Sequence, residues 1–116
     1  MKTAEIIELD YRVVENRNTI QKVLKKIKPL SKYSEEENVP IDMLEMLLYK
    51  LCSKYAVHIN ITQDPVSGDT NIWKCTIIND KTLYMFYVFG MCMYEVLAKV
   101  CIGIYSGVKS ERFVER

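Results

Sequence analysis

The residues able to do chemistry are few and scattered. His58 is the single histidine, and Cys52, Cys75, Cys92 and Cys101 show no Cys-x-x-Cys spacing. A structural zinc site gathers four nitrogen or sulfur ligands, usually in close pairs, so no metal is expected. Three of the cysteines lie in strongly apolar runs, the pattern of free, buried thiols in a reducing cytoplasm. His58 alternates with Val57 and Ile59, which puts it on the polar face of a strand. Glu35, Glu36 and Glu37 are the nearest thing to an acid–base pair of carboxylates. They stand in a charged connector, where they also suit a helix start. No Gly-x-Ser-x-Gly, P-loop or Gly-x-Gly-x-x-Gly occurs, and four glycines in all are too few for a phosphate cradle. The expectation is a non-catalytic chain without a cofactor.

Two basic stripes remain. One is Lys22, Lys25, Lys26, Lys28 and Lys32; the other is Lys109, Arg112 and Arg116, spaced 3 and 4. Of these, Lys22, Lys25, Lys26, Arg112 and Arg116 are the candidate phosphate contacts. The plain alternative is that the lysines complement the dipole at the end of a helix. A net charge of +1 supplies no global attraction to nucleic acid or to an anionic membrane.

The elements that position these residues centre on Leu83 to Val108, which holds only Glu95 and Lys99 as charges. Thr82 to Phe89 reads as a buried strand and Met91 to Gly107 as a buried helix. On that helix Glu95, Lys99, Gly103 and Ser106 form one narrow polar or small stripe. The rest of its circumference is apolar, so a sheet on one side leaves surface for another element, a second copy or a partner to cover. A membrane span is the rival reading, but Glu95 and the scattered tyrosines interrupt the roughly 18 apolar residues that it needs. The first residues, MKTAEIIELD, are acidic and predict no signal peptide.

Upstream, Ile6, Leu9, Val13, Asn16, Ile20, Val23, Ile27 and Leu30 recur at 3 and 4, one seam of a helix. ENRNT at 15–19 weakens it, leaving either one long helix, or an N-terminal strand or arm followed by a short helix from Thr19 to Lys28. Ile6, Leu9, Val13, Asn16 and Ile20 are the candidate subunit interface, with packing inside one chain as the alternative. An amphipathic helix follows from Pro40 to about Lys54. The period then changes to two: Tyr55 to Gln63 and Thr70 to Ile78 alternate as strands. Asp64 to Asp69 forms the loop between them, and Asn79 to Lys81 a tight turn before the third strand. After Gly107 the chain is polar and helix-compatible.

From Pro40 to Gly107 the order helix–strand–strand–strand–helix resembles the double-stranded RNA-binding domain. The helix over 40–51, the WKCTII strand and the final helix with Ala98 carry that resemblance. The lysine cluster by which that family meets phosphates has no counterpart in GMCMYEVLAK, and no binding residue carries over. The same segment is similar to small alpha/beta/alpha-sandwich proteins of phages, in which a Trp-bearing sheet is closed by an apolar helix. That resemblance implies an accessory phage product, of the kind that includes inhibitors of host defence proteins.

The expected fold is α+β: a three-stranded antiparallel sheet flanked by the Pro40 and Met91 helices. Residues 1–39 form an N-terminal helical extension and 40–116 the core domain with a polar C-terminal tail. The expected function is a protein-binding module, homodimeric and cytoplasmic, directed at a host protein. The alternative is a small nucleic-acid binder.

Overall fold

The computed structural model describes residues 17–65 and 71–116. The chain is α+β, in the order α1 (Arg17–Leu24), α2 (Ile41–Lys54), β1 (Val57–Pro65), β2 (Asn71–Asn79), β3 (Met85–Gly90) and α3 (Met93–Lys109). The three strands form one antiparallel sheet in the order β1-β2-β3. Its register pairs Ile59 with Ile77 and Ile61 with Cys75, then Cys75 with Val88 and Ile77 with Phe86. These residues share the inner face, where Cys75, Ile77, Phe86 and Val88 are fully buried.

That face is covered by α3, against β2 and β3, and by α2, against β1 and alongside α3. Leu44, Leu47 and Leu51 give α2 its buried stripe, at the helical spacing that sets them on one side. Ile41, Met46 and Tyr49 face solvent instead. Helix α3 is enclosed more fully than any other element. Its residues Val96 to Cys101, Ile104 and Gly107 are buried. Gly103 lies so close to Phe86 that an added Cβ would stand 2.4 Å from the ring. Lys99 and Gly103 of the polar and small stripe therefore face β3 while Ser106 stays exposed, and α1 and α2 pack on other parts of α3.

Helix α1 is shorter than the run Thr19 to Lys28 suggested by its periodicity. After Lys25 the bonds tighten to Lys26 N–H on Val23 O and Ile27 N–H on Leu24 O. Ile27 is already extended at φ −75°, ψ 122°. A single turn of 3-10 helix, Lys28–Leu30, follows, with Pro29 in its first turn. The connector then reaches α2 without a side-chain cap at Pro40. Ser34 N–H meets Glu37 Oε1 at 3.2 Å, and that bond holds the Glu37 carboxyl below its usual range.

The β2–β3 turn is built on Asn79, which is fully buried. Its Oδ1 accepts the Lys81 and Thr82 N–H groups at 3.0 and 2.9 Å. Leu83 follows at φ 61°, an uncommon conformation for a branched side chain. The third strand therefore starts at Met85 rather than Thr82. The last residues are not a free tail. Helix α3 ends at Ser110, Glu111 turns at φ 62°, and Arg112 N–H closes on Gly107 O at 2.8 Å. Beyond it Ala56 N–H bonds Val114 O, Arg116 N–H bonds Lys54 O, and Phe113 packs edge-on against Tyr84.

Candidate binding surfaces

The C-terminal basic residues are drawn into the fold. Because the chain leaves the helical path at Glu111, Lys109, Arg112 and Arg116 do not share a helix face. Arg112 lies over the Tyr84 ring, 5.1 Å from its centroid, and donates to the Tyr84 hydroxyl at 3.2 Å. Arg116 donates from both Nε and Nη2 to Cys52 O. Lys25 donates to Ser34 O at 2.7 Å, bracing the connector, while Lys22 and Lys26 are exposed.

Of the candidate subunit seam, Ile6, Leu9, Val13 and Asn16 lie outside the described residues. Ile20 is 4% exposed within the single chain, part of the same core as Leu24 and Ile27. A charge placed there acts on folding first. The flank of the helix from Met91 to Gly107, the other expected contact, is mostly covered by α1 and α2. The reason is that α1 packs on α3 instead of continuing as a free extension, so the covering problem set by that helix is largely solved inside one chain. Met91 and Cys92, just before α3, stay exposed.

A cleft of about 420 Å³ opens there, lined by Ile20, Gln21, Met91, Cys92, Tyr94 and Glu95. Its polar groups are engaged with one another. Gln21 donates to the Tyr94 hydroxyl at 2.8 Å and accepts the Val39 N–H at 2.9 Å. The Tyr94 hydroxyl donates to Val39 O. Glu95 reaches back to the Met91 N–H at 3.1 Å, as an acidic residue in the first turn of a helix can. Its other oxygen lies 3.2 Å from Lys99 Nζ, and Lys99, 1% exposed, donates to Phe89 O. These bonds lock α1, the connector and the end of β3 onto α3. They hold structure in place.

The cysteines follow the same logic. Burial pushes the Cys75 and Cys101 thiols up to about 12 and raises that of Cys52; Cys92 is exposed. His58 Nε2 lies 2.5 Å from Asp80 Oδ2 at the surface. Among the described residues no three His, Cys, Asp or Glu side chains come together to hold a metal ion, and no helix is long and apolar enough to cross a membrane.

The outer face of the sheet is the surface that reading by sequence missed. Because α2 and α3 both lie on the inner face, the outward side chains meet no helix among the described residues. The register lays them out in rows: His58, Ile78 and Met85; Asn60, Thr76 and Tyr87; Thr62, Lys74 and Phe89. Ile78, Met85, Tyr87 and Phe89 form a half-buried apolar strip over β2 and β3. Lys74 is directed onto that strip, with Nζ 4.6 Å from the Tyr87 ring centroid. The run LYMFYVF looks buried on both sides, and so conceals this face. The signal that reveals it is the clean alternation of His58, Asn60 and Thr62 and of Lys74 and Thr76. Strands with one wet face pair with β3, and β3 must share that face. The chain matches no known family model, no curated protein and no solved structure.

Proposed function

We propose that the chain is a non-catalytic protein-binding module that acts as a homodimer and uses the outer face of its sheet to hold a partner protein. The observation that carries this reading is the adjacent row of Ile78, Met85, Tyr87 and Phe89 on a face that no helix covers among the described residues. Single exposed apolar residues are ordinary, but contiguous apolar patches mark interaction sites. Lys74 at the end of the strip favours a partner with an apolar ridge flanked by a carboxylate. The resemblance to phage accessory proteins makes the expected partner a host protein that is bound and blocked rather than modified. Arg112, Arg116 and Lys25 already have partners within the chain, which weighs against a nucleic-acid binder.

The test places a photocrosslinking residue at Thr76, in the middle of the outer face, and in parallel at Glu45 on the exposed side of α2. The expected result is protein adducts from Thr76 and few from Glu45. Adducts from Glu45 alone would contradict the reading. Strong retention on heparin or duplex RNA that falls steeply with salt would replace it with the nucleic-acid alternative.

A further inference from the structure

The outer face carries opposite charges at its two ends. At one end, in the row of Thr62, Lys74 and Phe89, stands the Lys74 ammonium group, 4.6 Å from the Tyr87 ring centroid. At the other, beside the row of His58, Ile78 and Met85, stands the Asp80 carboxylate, held against His58 Nε2 and 47% exposed. The row of Asn60, Thr76 and Tyr87 lies between them. The apolar strip runs the length of the face, from Ile78 and Met85 through Tyr87 to Phe89. An apolar ridge flanked by a carboxylate is the partner chemistry that Lys74 favours, and this same face supplies it.

We infer that the partner of the outer face is a second copy of the chain, packed face to face about a two-fold axis that crosses the strands along the row of Asn60, Thr76 and Tyr87. This rests on the reading of the chain as a homodimeric binding module and names what the face holds. The axis reverses the strands and exchanges the two ends of the face. Lys74 of each copy then passes over Ile78 of the other toward its Asp80, so unlike charges meet twice. Met85 meets Phe89, a thioether on an aromatic ring, and Tyr87 meets Tyr87. A two-fold axis along β2 instead sets Lys74 on Lys74, and that repulsion selects against it. The contact is made by side chains of the face and leaves the Lys99 bond to Phe89 O undisturbed. Two sheets stacked in this way form a sandwich with α2 and α3 of each copy on its outside. A face three strands wide is smaller than the roughly 800 Å² per partner of a standard interface, which makes the dimer weak and reversible. A host protein of the same chemistry competes with the second copy for the face.

The experiment is sedimentation of the full chain and of two charge-reversed variants, Lys74→Glu and Asp80→Lys, from about 2 to about 200 µM. The native mass is expected to rise from 13.6 kDa toward twice that value. The first variant alone sets carboxylates against each other at both ends of the contact, and the second sets ammonium groups there. Each is expected to associate at least about tenfold more weakly than the native chain. An equimolar mixture of the two restores unlike charges at both ends and is expected to dimerise as the native chain does. Lys74→Gln removes the charge without reversing it and should fall between the native and reversed chains, which keeps the result readable if a reversal unfolds the sheet. A native chain monomeric throughout overturns the proposal. So does a dimer that forms equally well from either reversed variant alone, or a mixture of folded variants no heavier than its parts. If the native chain is monomeric, Thr76 adducts with a foreign protein keep the binding reading, whereas Thr76 adducts with no protein remove that reading too, so the two failures are distinguishable.

Discussion

The two faces of one sheet carry nearly the same amino acids to opposite ends. Phe86 and Val88 point inward, and Met85, Tyr87 and Phe89 outward, all from six consecutive residues of β3. Phe86 is 1% exposed and held between Gly103 and Phe113. Tyr87, its neighbour in sequence, is half-buried beside Lys74. Apolar character alone does not decide which residues stabilise the fold; the position of α2 and α3 does. Inner residues gain close packing against a helix, whereas outer residues gain only cross-strand contacts until something covers them.

Stability measurements should separate the two faces. The largest effect is expected for Phe86→Ala, about 4 kcal/mol by chemical denaturation, from lost burial and the cavity left behind. Tyr87→Ala, one residue away, should cost less than about 1 kcal/mol. Equal costs would erase the distinction. Next comes Lys99→Met. It removes one member of a buried pair and leaves Glu95 and the Phe89 carbonyl without the ammonium group, which should cost about 3 kcal/mol. Gly103→Ala forces a Cβ against the Phe86 ring and is expected to cost about 2 kcal/mol. If it proves neutral, α3 is not seated on the inner face as described.

The buried thiols sharpen the comparison through pH. Cys75 and Cys101 have their folded values raised by burial from 9.0 to about 12, so the folded state favours the protonated thiol. Their contribution is full below pH 9 and is lost as pH rises from 9 toward 12. Stability should therefore decline through that window, and the decline should shrink in Cys75→Ala and Cys101→Ala. The smallest effect is kinetic. A thiol reagent on the folded chain should label Cys92 rapidly and Cys75 and Cys101 only on unfolding. Fast labelling of Cys75 would mean that the inner face opens without global unfolding.

Much of this architecture was legible in the sequence. The change of period from 3.6 to 2 after Lys54 located α2 and the first strand, and the alternation around WKCTII located the second. The α+β class and the antiparallel order followed. What escaped has physical causes. Helix α1 ends at Leu24, where the bonds tighten and Ile27 then turns extended, a break that leaves no mark in the periodicity. The C-terminal residues read as a helical basic stripe, but Glu111 adopts a left-handed turn and Arg112 and Arg116 find tertiary acceptors. Lys99 read only as part of a polar or small stripe with Glu95, Gly103 and Ser106. Its burial depends on the Phe89 carbonyl, a long-range partner that no local pattern announces. The outer face was hidden because aromatic and aliphatic residues occupy both sides of β3.

Hydroxyl-radical footprinting of the full chain at about 2 and about 200 µM, a range spanning weak association, tests most directly that the outer face is the contact surface. Met85, Tyr87 and Phe89 should lose labelling as concentration rises. Met46 and Tyr49, which are 51% and 75% exposed on α2, should not. Protection of Met46 and Tyr49 with undiminished labelling of Met85, Tyr87 and Phe89 would contradict the account.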